Sequence, residues 1–311
     1  MHTKRLMAIP EAKIVAFADV VKERALKRKE EFFPRNNDVF VFTDYKEMIN
    51  KIDLDAVEII TPHTLHFSQC LYALEAGLNV LVEKPMTTEV SHARKLIEIA
   101  KAKKTILLVS YQLYYIPIFR YAKQVIEKGE IGEIKLVSAF LAQGWRRMVE
   151  GQWRVDPALS GGGELMDSGS HLVDAILWLT NLKPREVMAF VDNADLKVDV
   201  FSSFSIKFEN GALASVAICG DMPARGMREG LAIWGTKGAL YFQEGKLFHQ
   251  FSNGDVKEPC CLPAPSDPDT NFVRAILGKE RNESPGECGL KVAELTSAIY
   301  KSAREGSKVV I

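Results

Sequence analysis

Between residues 13 and 110 short apolar runs alternate with charged, amphipathic stretches, and this alternation constrains the fold more than any other feature of the chain. The apolar runs fall at 13–18, 39–42, 57–61, 80–83 and 106–110, each of strand length. Between them lie helix-like stretches such as 20–31 and 89–103, the second with Thr88 placed to cap it. Strands separated by helices do not pair as hairpins; they line up in parallel, and the crossing helices cover both faces of the sheet. A parallel sheet is expected over this part of the chain.

The rhythm changes after Gly132. Apart from one helical segment at 164–179, the sequence runs in β-rich pieces at 134–144, 187–191, 200–208, 212–219, 231–234 and 239–242. The Asn210-Gly211 pair between the third and fourth of these is a strong hairpin signal. A mostly antiparallel, open sheet is expected, with helices on one face and the other face left to pair subunits. The proline-rich stretch 259–268 reads as a surface loop. The chain thus divides into an α/β part, 1–113, and an α+β part, 114–311.

At 311 residues the chain is long enough for two domains with ample core. Lysine plus arginine number 40 and aspartate plus glutamate 40, so the chain as a whole offers no basic field to nucleic acid. The opening Met1-His2-Thr3-Lys4-Arg5-Leu6-Met7 lacks the apolar stretch of a signal peptide, and no apolar run approaches the length that spans a bilayer. The five cysteines, Cys70, Cys219, Cys260, Cys261 and Cys288, lack metal-ligand spacing; free thiols in a reducing cytosol and no metal are expected. These features point to a cytoplasmic protein with a small-molecule partner, not a nucleic acid or a membrane.

Two segments carry chemistry. In Gly161-Gly162-Gly163-Glu164-Leu165-Met166-Asp167-Ser168-Gly169-Ser170-His171-Leu172-Val173-Asp174, helical spacing puts Asp167, His171 and Asp174 on one polar stripe, while Leu172, Val173, Ile176, Leu177 and Leu179 face a core. A titratable stripe on such a helix needs a partner or a ligand, because unpaired buried charge is expensive; a helix start satisfied locally is the plainer alternative. In Glu83-Lys84-Pro85, Lys84 follows the apolar run 79–82, at the carboxyl end of a strand, where open α/β sheets bind their ligands. Alone, Lys84 is an ordinary loop residue; with the second segment it is harder to dismiss.

Together with Asp19 after Ile14-Val15-Ala16-Phe17-Ala18, Thr61-Pro62-His63-Thr64-Leu65-His66, Gly129-Glu130-Ile131-Gly132 and the closing Ala298-Ile299-Tyr300-Lys301-Ser302-Ala303-Arg304-Glu305-Gly306, these motifs make the chain resemble the glucose–fructose oxidoreductase / inositol dehydrogenase (Gfo/Idh/MocA) family over nearly its whole length. The resemblance implies a Rossmann-type dinucleotide domain over 1–113 and a substrate and oligomerisation domain over 114–311. It implies NAD-dependent hydride transfer at a hydroxyl-bearing carbon of a sugar, cyclitol or related derivative, and a homodimer or homotetramer. His171 suits the task of taking the hydroxyl proton, Lys84 that of steadying the developing alkoxide, and Asp167 would orient His171 or hold a substrate hydroxyl. Lys84 and His171 paired structurally with Asp167 and Glu83 is the alternative. Asp19 favours NAD over NADP, since a carboxylate bonds a free ribose 2′-hydroxyl and repels a 2′-phosphate. Thr61, Pro62, His63, His66, Glu83, Lys84 and Gln112 fall at strand ends where the family holds cofactor. His66 also fits as a plain helix-entry residue. Arg146, Trp153 and Arg154, in a cluster with Trp145 and Arg147, join Asp167 and His171 as candidate substrate contacts; arginine forks suit carboxylates or phosphates and tryptophan faces suit sugar rings, which fits a sugar acid or nucleotide sugar, with a solvated basic loop as the equal alternative. Tyr111, Tyr114 and Tyr115 are further candidates for the pocket wall.

The chain departs from that family at its start. A dinucleotide domain opens with a strand and G-x-G-x-x-G, whose amides hold the pyrophosphate, yet no glycine precedes Gly77. Counting back the usual ~20 residues from Asp19 lands at or before Met1, so residues 2–9 read as the rest of the first helix. The expectation is a functional protein that begins upstream, the first strand of the 3-2-1-4-5-6 sheet being absent and its neighbours left without a partner. The rival is a shortened, catalytically silent sugar-binding or regulatory protein that has lost tight dinucleotide binding.

Overall fold

The computed structural model describes residues 1–34, 38–223 and 226–311. After a short helix α1 (His2–Met7), the first part alternates as its sequence predicts: β1 (Ala16–Ala18), α2 (Lys22–Phe32), β2 (Phe40–Phe42), α3 (Tyr45–Lys51), β3 (Ala56–Ile59), α4 (His66–Glu75), β4 (Asn79–Val82), α5 (Val90–Lys103) and β5 (Leu107–Val109). All pairings here are parallel, but the strands form two separate sheets, β1-β2 and β3-β4-β5. Among the described residues no strand joins β1 to β3. The expected cap at Thr88 is a correction: Glu89 occupies the N-cap of α5, and no side chain caps it.

Parallel strands buried on both faces explain why 80–82 is wholly apolar. Val80, Val82, Leu107 and Val109 pack with Cys70, Ala73 and Leu74 of α4 and Ala93 and Leu96 of α5. Leu81 and Leu108, pointing the other way, pack against Phe272. Phe272 belongs to α10 (Pro268–Ile276), so the end of the chain returns to cover this sheet. Asn282 Nδ2 donates to Leu107 O, and Val109 N–H to Ser284 O.

The second part holds α6 (Pro117–Glu127), β6 (Ile134–Gln143), the one-turn helices α7 (Trp145–Met148) and α8 (Pro157–Ser160), α9 (Gly169–Thr180), β7 (Pro184–Asp192), β8 (Phe201–Phe208), β9 (Leu213–Cys219), β10 (Met227–Gly235), β11 (Ala239–Gln243), β12 (Lys246–Gln250), β13 (Val256–Lys257), α10, α11 (Gly286–Glu305) and β14 (Val309–Val310). Among the described residues nine strands form one sheet, ordered β13-β12-β11-β10-β6-β9-β8-β7-β14, antiparallel except for the β6–β9 pair. β8 and β9 meet through Asn210-Gly211, as the hairpin signal predicts. Val137, Ala139, Leu141, Phe204, Ile206, Val216 and Ile218 bury one face with α9 and α11. Leu136, Phe140, Phe190 and Leu213 stand exposed on the other. Among the described residues no helix is long and apolar enough to cross a membrane.

The helix expected at 164–179 begins instead at Gly169, and residues 164–168 form turns. Asp167 therefore sits ahead of the helix, off the predicted stripe. Asp174 leaves the stripe too: it is buried and accepts the Tyr114 hydroxyl.

Candidate active site

Lys84, at the carboxyl end of β4, reaches across to the turn before α9. Its ammonium donates to Asp167 Oδ1 (2.7 Å) and to the Asp167 main-chain oxygen (3.0 Å). The other carboxylate oxygen of Asp167 accepts Trp145 Nε1–H and Arg154 Nε–H, both at 2.9 Å. Burial pushes the Asp167 carboxyl up, but the Lys84 charge, the Lys84 hydrogen bond and Trp145 outweigh it and hold the group well below the usual carboxylate range.

Two imidazoles flank this carboxylate. His63 is buried, with Nδ1 3.0 Å from Ser160 O and Nε2 3.8 Å from Asp167 Oδ1. A carbonyl only accepts, so Nδ1 carries the proton and Nε2 faces the carboxylate bare. The Trp153 and His63 rings meet nearly at right angles, and the Arg154 guanidinium lies over the indole, 4.4 Å from its centroid. His171, in the first turn of α9, is half-buried and has no hydrogen-bond partner among the described residues; the ring of Tyr111 meets it edge-on. Burial, then the nearby Lys84 charge, lower the His171 pKa to about 3, so the ring is neutral at pH 7. Burial lowers His63 to about 3 in the same way.

The turn that carries Asp167 is braced from behind. Asp199 accepts the N–H groups of Gly163 (2.7 Å) and Leu165 (2.8 Å) and the Tyr300 hydroxyl (2.6 Å). A Cβ on Gly163 would lie 1.9 Å from Asp199 O, so only glycine lets the two backbones approach. Glu164 is fully buried; Gln143 Nε2 donates to Oε1 (2.7 Å) and Oε2 has no partner. Burial raises its pKa to about 8 against the Gln143 hydrogen bond, which makes it a neutral acid at pH 7.

The structure thus gathers Lys84, Asp167, His63, Trp153, Arg154 and His171, and adds Trp145. Asp167 is not hydrogen-bonded to His171; it serves Lys84, Trp145 and Arg154. Arg146 is not brought in: its guanidinium pairs with Asp195 and Asp221. Tyr111 alone of the three tyrosines touches the cluster; Tyr114 bonds Asp174 and Tyr115 bonds Asn271 within the core.

Most of the expected cofactor residues stand at strand ends, with varied local duties. Asp19 follows β1 and accepts the Val21 N–H. Thr61 donates to Gln69, and Pro62 precedes the 3-10 turn His63–Leu65. His66 opens α4, and its two nitrogens meet Pro85 O and Thr61 O, which fits the helix-entry reading. Glu83 accepts His2 Nε2 (2.9 Å), and His2 Nδ1 donates to Asp269 (2.8 Å). Gln112 lies against Met1 Sδ. For a nicotinamide dinucleotide these residues fit at two ends: a carboxylate for a ribose diol at β1, and polar groups with a bare imidazole beyond β3 and β4. The glycine run that cradles a pyrophosphate has no counterpart before Gly77.

Sequence reasoning had no signal for Asp199, Glu164 or His2, because each acts through contacts distant in the chain. Trp145 stood in the noted cluster, but its indole N–H gave no hint of its target.

Residues 1–111 match a family described as oxidoreductases with an NAD-binding Rossmann fold, and residues 119–241 match the GFO/IDH/MocA C-terminal domain. D-Xylose 1-dehydrogenase (NADP(+)) of Hypocrea jecorina is 31% identical over 276 residues, spanning 80% of this chain and 70% of that protein. The crystal structure of aldose–aldose oxidoreductase from Caulobacter crescentus, complexed with glycerol, superposes with a TM-score of 0.88 at 24% identity, covering 100% of this chain and 95% of that one. Levoglucosan dehydrogenase in complex with NADH and L-sorbose gives 0.85 at 22% identity, covering 100% and 94%. These two likenesses show a shared fold.

Proposed function

The chain belongs to the Gfo/Idh/MocA family of oxidoreductases, and we propose that it transfers a hydride between a nicotinamide cofactor and a CH–OH carbon of an uncharged sugar. The observation that carries this reading is an ammonium, Lys84, brought near a neutral imidazole, His171, whose ring has no hydrogen-bond partner among the described residues.

The cofactor, when bound, supplies the hydride acceptor or donor. The chain's own residues handle the proton and the oxygen. His171, neutral at pH 7, takes the hydroxyl proton as the carbinol is oxidised, a contribution typically of about 10²–10⁴-fold. Lys84 donates to the same oxygen and favours its alkoxide-like state. Asp167 holds Lys84 in place through its carboxylate and its carbonyl. Asp19, Thr61, Pro62, His63, His66, Glu83, Lys84 and Gln112 remain our assignment for the cofactor side, within residues 1–113. Residues 114–311 supply the substrate side, through Trp153, Arg154, Asp167 and His171. NAD is the cofactor we favour, on the strength of Asp19; the Hypocrea relative is named for NADP(+).

The uncharged substrate follows from the arginines. Arg146 is neutralised by Asp195 and Asp221 and offers no free fork to a carboxylate or phosphate, and Arg154 has given its Nε–H, and with it the side-on fork, to Asp167. Trp153, packed against His63, offers an apolar wall for a sugar ring. The exposed sheet face bearing Leu136, Phe140, Phe190 and Leu213 is where we place a homo-oligomer contact.

The test is turnover of D-xylose, D-glucose, levoglucosan and myo-inositol against the matching uronic acids, with NAD and with NADP, alongside NADH fluorescence titration. Oxidation of neutral sugars with NAD preferred is the expected result. Preference for a uronic acid would overturn the substrate class, and absence of NADH and NADPH binding would overturn the activity.

A further inference from the structure

The segment between β13 and α10 carries two adjacent cysteines, Cys260 and Cys261, flanked by Pro259 and Pro263. Both are exposed, whereas Cys70 is buried and Cys219 and Cys288 are partly so. The two sulfurs lie 3.8 Å apart. The peptide between them is trans, which holds neighbouring Cα atoms ~3.8 Å apart, short of the ~4.4–6.8 Å usual across a disulfide. A bond between these sulfurs is therefore strained and easily reduced. The pair is kept as two thiols, and it presents two soft donors to one point.

The number of donors then selects the ligand. Among the described residues the one group of three His, Cys, Asp or Glu ligands gathered for a metal is His2, Glu58 and Asp269. Cys260 and Cys261 accordingly have no third such ligand, and tetrahedral zinc, which takes four, is not served. A soft acceptor with two positions to fill is.

We propose that Cys260 and Cys261 form a bidentate dithiol site for a trivalent arsenical of the type R–As=O. Two As–S bonds form and the As–O bond breaks. The two thiol protons leave on the oxygen as water, and neither arsenic nor sulfur changes oxidation state. The site lies apart in sequence from the residues given catalytic roles, and it stands whether or not the proposed activity does.

The experiment uses the intact chain, reduced and freed of reductant, titrated with phenylarsine oxide and followed by intact mass and by counting free thiols in the native state. The expected result is one phenylarsenic group per chain and the loss of two reactive thiols, reversed by 2,3-dimercaptopropanol and resistant to glutathione. Cys260→Ser and Cys261→Ser each bind at least roughly 100-fold more weakly, since one thiol loses the effective concentration of its neighbour. Cys219→Ser and Cys288→Ser bind as the parent does. No adduct on the parent chain would overturn the proposal, as would an undiminished adduct on the Cys260→Ser/Cys261→Ser double variant.

Discussion

The ammonium of Lys84 bonds Asp167 twice, at the carboxylate Oδ1 (2.7 Å) and at the main-chain oxygen (3.0 Å). One side chain thereby fixes both the charge and the backbone of a residue 83 positions away in the chain.

That arrangement is asymmetric, and the asymmetry predicts a ranking. Asp167→Ala removes the one carboxylate that serves Lys84, Trp145 and Arg154. Breaking a buried pair in this way costs about 3–5 kcal/mol. Lys84→Met is the milder change, because Asp167 keeps Trp145 and Arg154. Urea unfolding of both variants checks the order; equal losses would mean that Asp167 does not anchor the cluster. Both variants should lose turnover.

His171→Ala is expected to lower turnover by about 10²–10⁴-fold while NADH affinity, read by fluorescence, stays close to the parent value. Because His171 titrates near 3, the kcat/KM profile of the parent should show no acidic limb near 6.5. A limb there that vanishes in His171→Ala would contradict the lowered pKa. Stability carries the same signature. His171 and His63 fall from 6.5 in the unfolded chain to about 3 when folded, so between those values the unfolded chain binds more protons. The contribution of these two histidines is full above 6.5 and drains away as pH falls toward 3. His63→Gln should flatten part of that acid slope in a thermal melt series.

His2 runs in the opposite direction. Burial disfavours its charge, but hydrogen bonds to Asp269 and Glu83 prevail and raise its pKa from 6.5 to about 10. A raised value means that the folded chain binds the proton more tightly. The stabilisation is complete below 6.5 and is lost as pH rises through 10. Glu58, pushed up by burial and Asp269, acts in the same sense. The Tm of the parent should fall between pH 6.5 and 10, and His2→Gln should be less stable at pH 6 and less sensitive to the rise. Parallel curves for the two proteins would remove His2 from that account.

The fold was legible wherever burial leaves a period in the sequence. Val80, Leu81 and Val82 face two cores at once, and that alone writes a continuous apolar run. Buried Phe204, Ile206, Val216 and Ile218 alternate with exposed Ser203, Ser205, Ser215 and Ala217, and that period writes the half-exposed sheet. The candidate site was legible at Lys84 and His171, whose positions follow from a strand end and a helix start. α9 starts later than its spacing predicts because Gly163, Asp199 and Tyr300 hold residues 164–168 in turns, a long-range constraint that no local spacing reveals. Asp174 departs from the helical stripe for a related reason: its partner, Tyr114, lies 60 residues earlier. The return of α10 to the first sheet, with Asp269 reaching His2, left no sequence trace either.

The brace behind Asp167 offers the last prediction. Gly163→Ala drives a methyl against the Asp199 backbone, with Asp199 O, N and C at 1.9, 2.6 and 2.7 Å from the added carbon. Backbone cannot swing aside as a side chain does, so one of the two segments must shift. Overpacking of this kind costs typically about 1–3 kcal/mol. A shift of the turn would carry Asp167 away from Lys84. Tyr300→Phe separates the two effects. It removes a hydroxyl that donates to Asp199 Oδ1, yet leaves the Gly163 and Leu165 N–H bonds to Asp199 in place. It should cost about 1–3 kcal/mol of stability, as for a buried acceptor that loses a partner, with turnover largely retained. Gly163→Ala should lose both. If Gly163→Ala kept full turnover while destabilised, the brace would be structural only and would not set the position of Asp167.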